Sequence, residues 1–367
     1  MSHRPGQPVG PDGPETRQGP VAPGLSVLVI GPGAVGSWLG GTLAGVGYAV
    51  TLLGRRPRTG DDPVRLTVEE AGRARTVPIL RVADPRDVRP GVGLVVLAVR
   101  AFDVPAALAI AARWPEAPLM TAQNGIGAEA AARAARTSPL LAGSLTAAVE
   151  LVPGGVRRLR SGGLGIAALP GSGSREAADL ASRLADAWTA GGLRSRVFPD
   201  AAAMKWSKLL ANLVANASSA ILDMDPGGIY ADPAGYRVER RQFREAVAVM
   251  RALGLVPVSL PGAQTTLLLR GLALPEPVGR PIVARAIAGA RGGKSPSLRL
   301  HVQGGGGPPT EAAWLNGAVA DAGERLGVST PVNRALAALV DEVAGEPSRR
   351  AWFRGRPDRL AETVGAV

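Results

Sequence analysis

The feature that most restricts the fold of this chain is an apolar run, LSVLVI at 25–30, that ends on Gly31, Gly33 and Gly36 and passes directly into a helical pattern. A second apolar run, AVTLL at 49–53, follows that helix. Strand, glycine turn, helix and strand in this order predict a βαβ unit built on a parallel pair. In a chain with 49 Gly among 367 residues the G-x-G-x-x-G spacing arises by chance, so its placement carries the argument. The first glycine permits the tight turn, the second lets a pyrophosphate approach the backbone, and the third allows helix and strand to pack closely. Free N–H groups at Ala34 and Val35 then meet the phosphates at the positive end of the helix dipole. The turn predicts a dinucleotide site.

The end of the second strand narrows the dinucleotide. A site for the unphosphorylated cofactor places an acid there to bind the ribose hydroxyls. This chain has Gly54, Arg55 and Arg56 instead, which suits a 2′-phosphate and predicts NADPH.

The alternation continues with GVGLVVLAV (91–99), a helix from about Asp103, PLMTAQ (118–123), strand-like segments near 140–152, 155–160 and 164–169, a helix over 174–190 and RSRVF (194–198). After Pro199 the character changes. Asp200 is placed to cap one long helix, AAAMKWSKLLANLVANASSAIL, and the pattern stays helical to about Val343. The expected organisation is a disordered Pro/Gly-rich tail (1–23), a dinucleotide-binding α/β domain (24–199), a helical substrate domain (200–345) and a charged, peripheral C-terminal tail (346–367).

Composition excludes several chemistries. The chain has no Cys, and its two His, His3 and His301, lie far apart, so thiolate sites, a His-built metal centre and a Ser-His-Asp triad are not expected. A net charge of +12 invites a nucleic-acid reading, but the basic residues are scattered and six Trp, three Tyr and four Phe leave little for base stacking. Each apolar run is interrupted short of the ~18 residues of a membrane span. The opening segment has no apolar core of a secretory signal. The expectation is a soluble, cytoplasmic protein that binds neither nucleic acid nor membrane. Apolar helical surface in the C-terminal half leaves room for a homodimer.

The rarest letters are the most informative. Of 42 basic residues only Lys205, Lys208 and Lys294 are Lys, and two of these stand on one helix; Asn occurs five times, at 124, 212, 216, 316 and 333. Arg carries surface charge as well as Lys does, but only Lys releases a proton once burial lowers its pKa. Lys208, Asn212 and Asn216 fall at i, i+4 and i+8, which predicts one helix face bearing an acid and two amides. Such a row suits an oxygen-rich substrate.

Five segments, GPGAVGSWLGGTLAGVGYAVTLLGRR, TAQNGIGAEA, KWSKLLANLVANASSAI, PSLRLHVQ…PTEAAWLNGAV and GVSTPVNRAL, resemble in order the signature segments of the ketopantoate reductases (2-dehydropantoate 2-reductases). The resemblance implies an N-terminal Rossmann-type domain with a parallel sheet and an all-α C-terminal domain similar to that of 6-phosphogluconate dehydrogenase, with the active site between them. The implied activity is NADPH-dependent reduction of 2-dehydropantoate to (R)-pantoate in pantothenate biosynthesis. By the same resemblance Lys208 is the catalytic acid and Glu311 the acidic residue that either orients it or binds a substrate hydroxyl. Asn212, Asn216 and Ser297 are substrate-side groups, Asn124 lies between cofactor and substrate, Arg55 holds the 2′-phosphate, and Arg100 replaces a cofactor-side Lys. The chain departs from the family pattern where His301 replaces an Asp, where the 297–311 interval is two residues longer, and where Asn216-Ala217 replaces Asn-Pro. These departures keep open a reductase of another 2-oxo or β-keto acid, or a silent NADPH-binding sensor.

Overall fold

The computed structural model describes residues 25–55, 64–70, 72–171, 173–290 and 295–366, so the expected N-terminal tail, Arg56 and Lys294 lie outside the described residues. The chain opens with β1 (Ser26–Ile30), α1 (Ala34–Ala44) and β2 (Ala49–Leu53), followed by β3 (Val64–Glu70), β4 (Arg73–Val82), β5 (Val92–Leu97) and α2 (Val104–Ala111). It continues through β6 (Leu119–Thr121), α3 (Ala128–Ala135), β7 (Leu140–Leu145), β8 (Ala148–Val152), β9 (Gly155–Arg160), β10 (Leu164–Ala168), α4 (Ser174–Ala190) and β11 (Ser195–Val197). Among the described residues these strands form one sheet in the order β11-β10-β7-β6-β5-β1-β2-β4-β3-β9-β8. Its centre is parallel from β7 to β4, with antiparallel pairs at β7–β10, β3–β4 and β8–β9.

The central strands are uniformly apolar because both of their faces are covered. Val27 and Val29 of β1, with Leu94 and Val96 of β5, pack under α1 and α4 against Trp38 and Trp188. Leu28 and Ile30, with Val95 and Leu97, face the other way, onto α2, α3 and the first turn of the helical half. Each such side chain contributes roughly 1.5–3 kcal/mol by leaving water. The chain leaves β1 toward β2 on one side and β5 on the other, which opens a crevice at the carboxyl ends of β1 and β5.

The rest of the chain is helical: α5 (Ala201–Leu213), α6 (Asn216–Leu222), α7 (Pro226–Ala231), α8 (Pro233–Ala252), α9 (Thr265–Ala273), α10 (Glu276–Ala290), α11 (Ser297–Gln303), α12 (Asn316–Leu326), α13 (Pro331–Gly345), α14 (Pro347–Phe353) and α15 (Pro357–Thr363). Asp200 caps α5 by accepting from the Ala203 amide at 3.0 Å. No described helix is long and apolar enough to cross a membrane.

Two expectations need correction here. The single helix over 201–222 is broken at Val214–Ala215, where Ala215 adopts φ 46°. The cause is distant in sequence. Glu239 of α8, fully buried, accepts the Ala215 amide at 2.8 Å, the Ser218 hydroxyl at 2.6 Å and the Tyr230 hydroxyl at 2.8 Å. A carboxyl group that gathers three donors outweighs the helix propensity of one alanine. Asn216 therefore starts a new helix and does not continue the face of Lys208 and Asn212. The segment after Gly345 is also no peripheral tail: α14 and α15 bury Phe353, Leu360, Ala361 and Val364 in the core of the helical half. Their apolar residues are spaced among five Arg, which line the outer face and hid the amphipathic pattern.

Candidate active site

The glycine turn leaves β1 at the crevice. Gly31 has φ +103°, and a Cβ there would lie 2.8 Å from the Ala98 carbonyl carbon. A Cβ on Gly36 would overlap the Gly31 carbonyl oxygen, so α1 packs against β1 only because this residue has none. Gly33 differs: its φ and ψ of −72° and −173° suit any residue, and a Cβ would meet nothing within 4 Å. The space it leaves lies over the start of α1, where the amides of Ala34, Val35 and Gly36 precede the intrahelical ladder. No side chain caps this helix start, and its first turn carries no acidic residue. Sterics and charge both suit a phosphate in that position.

The other residues expected on the nucleotide side stand at the carboxyl ends of neighbouring strands. Arg55 follows β2 with its side chain 92% exposed, 3.7 Å from Asp103. Arg100 follows β5, and Asn124 follows β6 in the Gln123-Asn124-Gly125 turn. Gln123 fixes that turn by donating from Nε2 to the carbonyls of Leu97 at 2.8 Å and Val99 at 3.3 Å.

The helical half closes over the crevice. Lys208 and Asn212 lie half-buried on α5, and Asn212 Nδ2 donates to Asn124 Oδ1 at 3.2 Å, joining the two halves. Asn216, at the start of α6, accepts the Leu298 amide at 3.1 Å and lies 3.5 Å from the Ser297 hydroxyl, so the helix break aims it at the start of α11. Glu311 opens a short 3-10 turn, Glu311–Trp314, that is held by Thr310. The Thr310 amide and hydroxyl both donate to Asp341 Oδ1, at 2.9 and 2.6 Å. Trp314 seals the floor: its carbonyl accepts the Ile126 amide at 3.0 Å, and its ring lies 6.2 Å from that of Phe102. Gly125, at φ +82°, is packed so closely on the Trp314 backbone that a side chain has no room.

His301 has a defined place as well. Its Nε2 lies 2.9 Å from the Gly307 carbonyl and its Nδ1 3.4 Å from Arg100 Nη1. A carbonyl only accepts and a guanidinium only donates, so these contacts make Nε2 the donor to Gly307 and Nδ1 the acceptor from Arg100. His301 thus pins the glycine run 304–307 and steadies Arg100 across the crevice.

Of the residues singled out in the sequence, Asn124 and Asn212 meet each other, Asn216 meets Ser297 and the Leu298 amide, and His301 meets Arg100, whereas Asn316 and Asn333 lie buried in the helical half against Gln242 and Glu245. Sequence reasoning did not assign roles to Phe102, Trp314, Glu239 or Lys205, which the structure places around them. For Lys205 a signal existed, since it is one of only three Lys in the chain.

Comparison with known proteins agrees with this fold. The family profile described as "Ketopantoate reductase PanE/ApbA" matches residues 27–171, and "Ketopantoate reductase PanE/ApbA C terminal" matches residues 200–344. The chain is 32% identical over 323 residues to the 2-dehydropantoate 2-reductase of Halobacterium salinarum, covering 86% of this chain and 98% of that one. It is 29% identical over 323 residues to the enzyme of the same name from Pyrobaculum aerophilum, covering 85% and 95%. Among solved structures, a PanE/ApbA family ketopantoate reductase from Ralstonia eutropha superposes with a TM-score of 0.69 at 26% identity, over 87% of this chain and 98% of that one.

Proposed function

Because the chain belongs to the ketopantoate reductase family of oxidoreductases, we propose that it reduces 2-dehydropantoate to (R)-pantoate with NADPH, the reaction that serves pantothenate biosynthesis. The observation that carries this reading is the Asn124–Asn212 contact at 3.2 Å, which joins the nucleotide-side turn to the helix bearing Lys208. The open space at Gly33 and the uncapped start of α1 support the pyrophosphate position. Arg55, exposed at the end of β2, is the residue for the 2′-phosphate, with Arg100 beside the cofactor.

Bound at this turn, the dinucleotide supplies the hydride that reduces the ketone carbon. The chain's own part is to hold the ketone and to manage its oxygen. Lys208 hydrogen-bonds the carbonyl oxygen through Nζ and stabilises the negative charge that develops there. It then transfers one proton to that oxygen, leaving a neutral amine that regains its proton from solvent. Asn212 and Asn124 orient the substrate at the junction of the two halves. Asn216 and Ser297 bind its polar end, and Glu311 accepts a hydrogen bond from the substrate hydroxyl. Exposed Leu267, Val278 and Ile282 on α9 and α10 support a homodimer formed through the helical half.

Lys208→Ala tests the assignment. Loss of a positioned acid lowers turnover by roughly 10²–10⁴-fold while the glycine turn still binds NADPH. Turnover close to that of the parent protein would remove Lys208 from the chemistry.

A further inference from the structure

Lys205 is a buried cation one helical turn before Lys208. Its side chain is 3% exposed, and its Nζ lies 2.9 Å from Glu129 Oε1 on α3. The same Nζ donates to the Gln123 carbonyl at 2.7 Å. Glu129, 14% exposed, also accepts the hydroxyl of Thr121, the last residue of β6, at 2.8 Å. One ammonium group thus joins α5 of the helical half to the end of β6, the start of α3 and the turn between them.

We propose that Lys205 and Glu129 are positioning residues that fix Asn124 relative to Lys208; the inference rests on the site described above. Burying a charge pair is expensive, and apolar residues of the same volume would hold the two halves together at least as well. An ammonium does what a methyl group does not: it binds a carboxylate and a backbone carbonyl in fixed directions. The carbonyl it holds belongs to the residue immediately before Asn124. From the other side the Gln123 side chain is tied to Leu97 and Val99 at the end of β5, so the turn is clamped between the sheet and α5. Residues 205, 208 and 212 follow at i, i+3 and i+7 on α5, and a helix is stiff over two turns. The tie at Lys205 therefore sets the register between the turn that presents Asn124 and the helix that presents Lys208 and Asn212. Neither Lys205 nor Glu129 touches the reacting atoms; they act through Gln123 and α5.

The test uses Lys205→Met and the double variant Lys205→Met/Glu129→Leu, which removes both buried charges and leaves no carboxylate stranded. Three quantities are read: NADPH affinity, kcat and KM with ketopantoate, and hydrogen exchange of the amides of 122–127 with NADPH bound. In the double variant NADPH affinity falls less than kcat, because neither residue touches the amides at the start of α1, while kcat falls ~10-fold or more. Exchange at 122–127 rises in the same variant. Parent-like kcat, or parent-like exchange at 122–127, overturns the proposal, as does a loss of NADPH affinity equal to the loss of turnover. If the parent protein does not reduce ketopantoate, the substrate reading fails, and the exchange comparison alone decides the tie.

Discussion

Gly33 and Gly36 are both glycines of one turn, yet the structure requires them to fail in different ways. At Gly33 the backbone conformation is open to any residue, and an added Cβ meets no protein atom within 4 Å. Gly33→Ala should therefore fold normally and even gain about 0.4–1 kcal/mol, because the unfolded chain loses freedom. The methyl group, however, fills the space through which a phosphate reaches the amides at the start of α1. A phosphate pushed outward loses one charge-assisted hydrogen bond or more, each worth about 1.5–3 kcal/mol. The expected loss of NADPH affinity is about ten- to two-hundred-fold. A titration followed by dihydronicotinamide fluorescence, beside a thermal melt, reads both quantities. Gly36→Ala is the contrast: its Cβ overlaps the Gly31 carbonyl oxygen, so it should cost about 1–3 kcal/mol of stability before any ligand is added. Parent-like NADPH affinity in a folded Gly33→Ala protein would refute the placement of the pyrophosphate.

Other outcomes follow from the same geometry. Arg55→Ala should lower the preference for NADPH over NADH by ~10-fold or more, as the proposed contact of its guanidinium with the 2′-phosphate requires; binding titrations with both cofactors check it. Glu239→Gln puts an NH2 donor where three donors converge, and should destabilise the helical half by roughly 1.5–3 kcal/mol, read from the midpoint of denaturant unfolding. Phe353→Ala, fully buried in α14, should cost about 3–5 kcal/mol by the same measurement, where a peripheral tail would cost almost nothing.

The strands at the centre of the sheet were legible because burial on both faces leaves no alternation to misread: the bounds of β2, 49–53, coincide with the apolar run AVTLL. The β3–β4 hairpin was missed because its apolar residues alternate with Arg, Thr and Glu. Among the described side chains Leu66, Val68, Val77 and Ile79 are buried in the core, a period-2 signal diluted by a charged outer face. The break between α5 and α6 had no local signal at all, since Val214 and Ala215 are ordinary helix residues and the decisive carboxylate comes from α8. In the site, the glycine turn, Lys208 and Asn212 stood out through placement and rarity. Asn216 starts a new helix and meets Ser297 and the Leu298 amide instead of extending the face its spacing suggested, and Ser297 and Glu311 rested on family resemblance, because a Ser and a Glu on surface segments carry no local signature of their own. Lys205 was visible as a rare letter, but its role depends on Gln123 and Glu129, some eighty residues earlier, and such pairings are set by tertiary structure.

In the proposed reaction the cleft between the sheet and α5 reduces a specific 2-oxo acid with a proton from Lys208. The most direct measurement is NADPH oxidation by the purified protein with ketopantoate, beside 2-oxoisovalerate and pyruvate, for the parent protein and Lys208→Ala. Efficient turnover of ketopantoate alone, abolished in the variant with NADPH binding intact, is the predicted result. NADPH binding without turnover of ketopantoate would contradict the substrate assignment and turn attention to the 297–311 segment, where His301 and the glycine run depart from the family pattern.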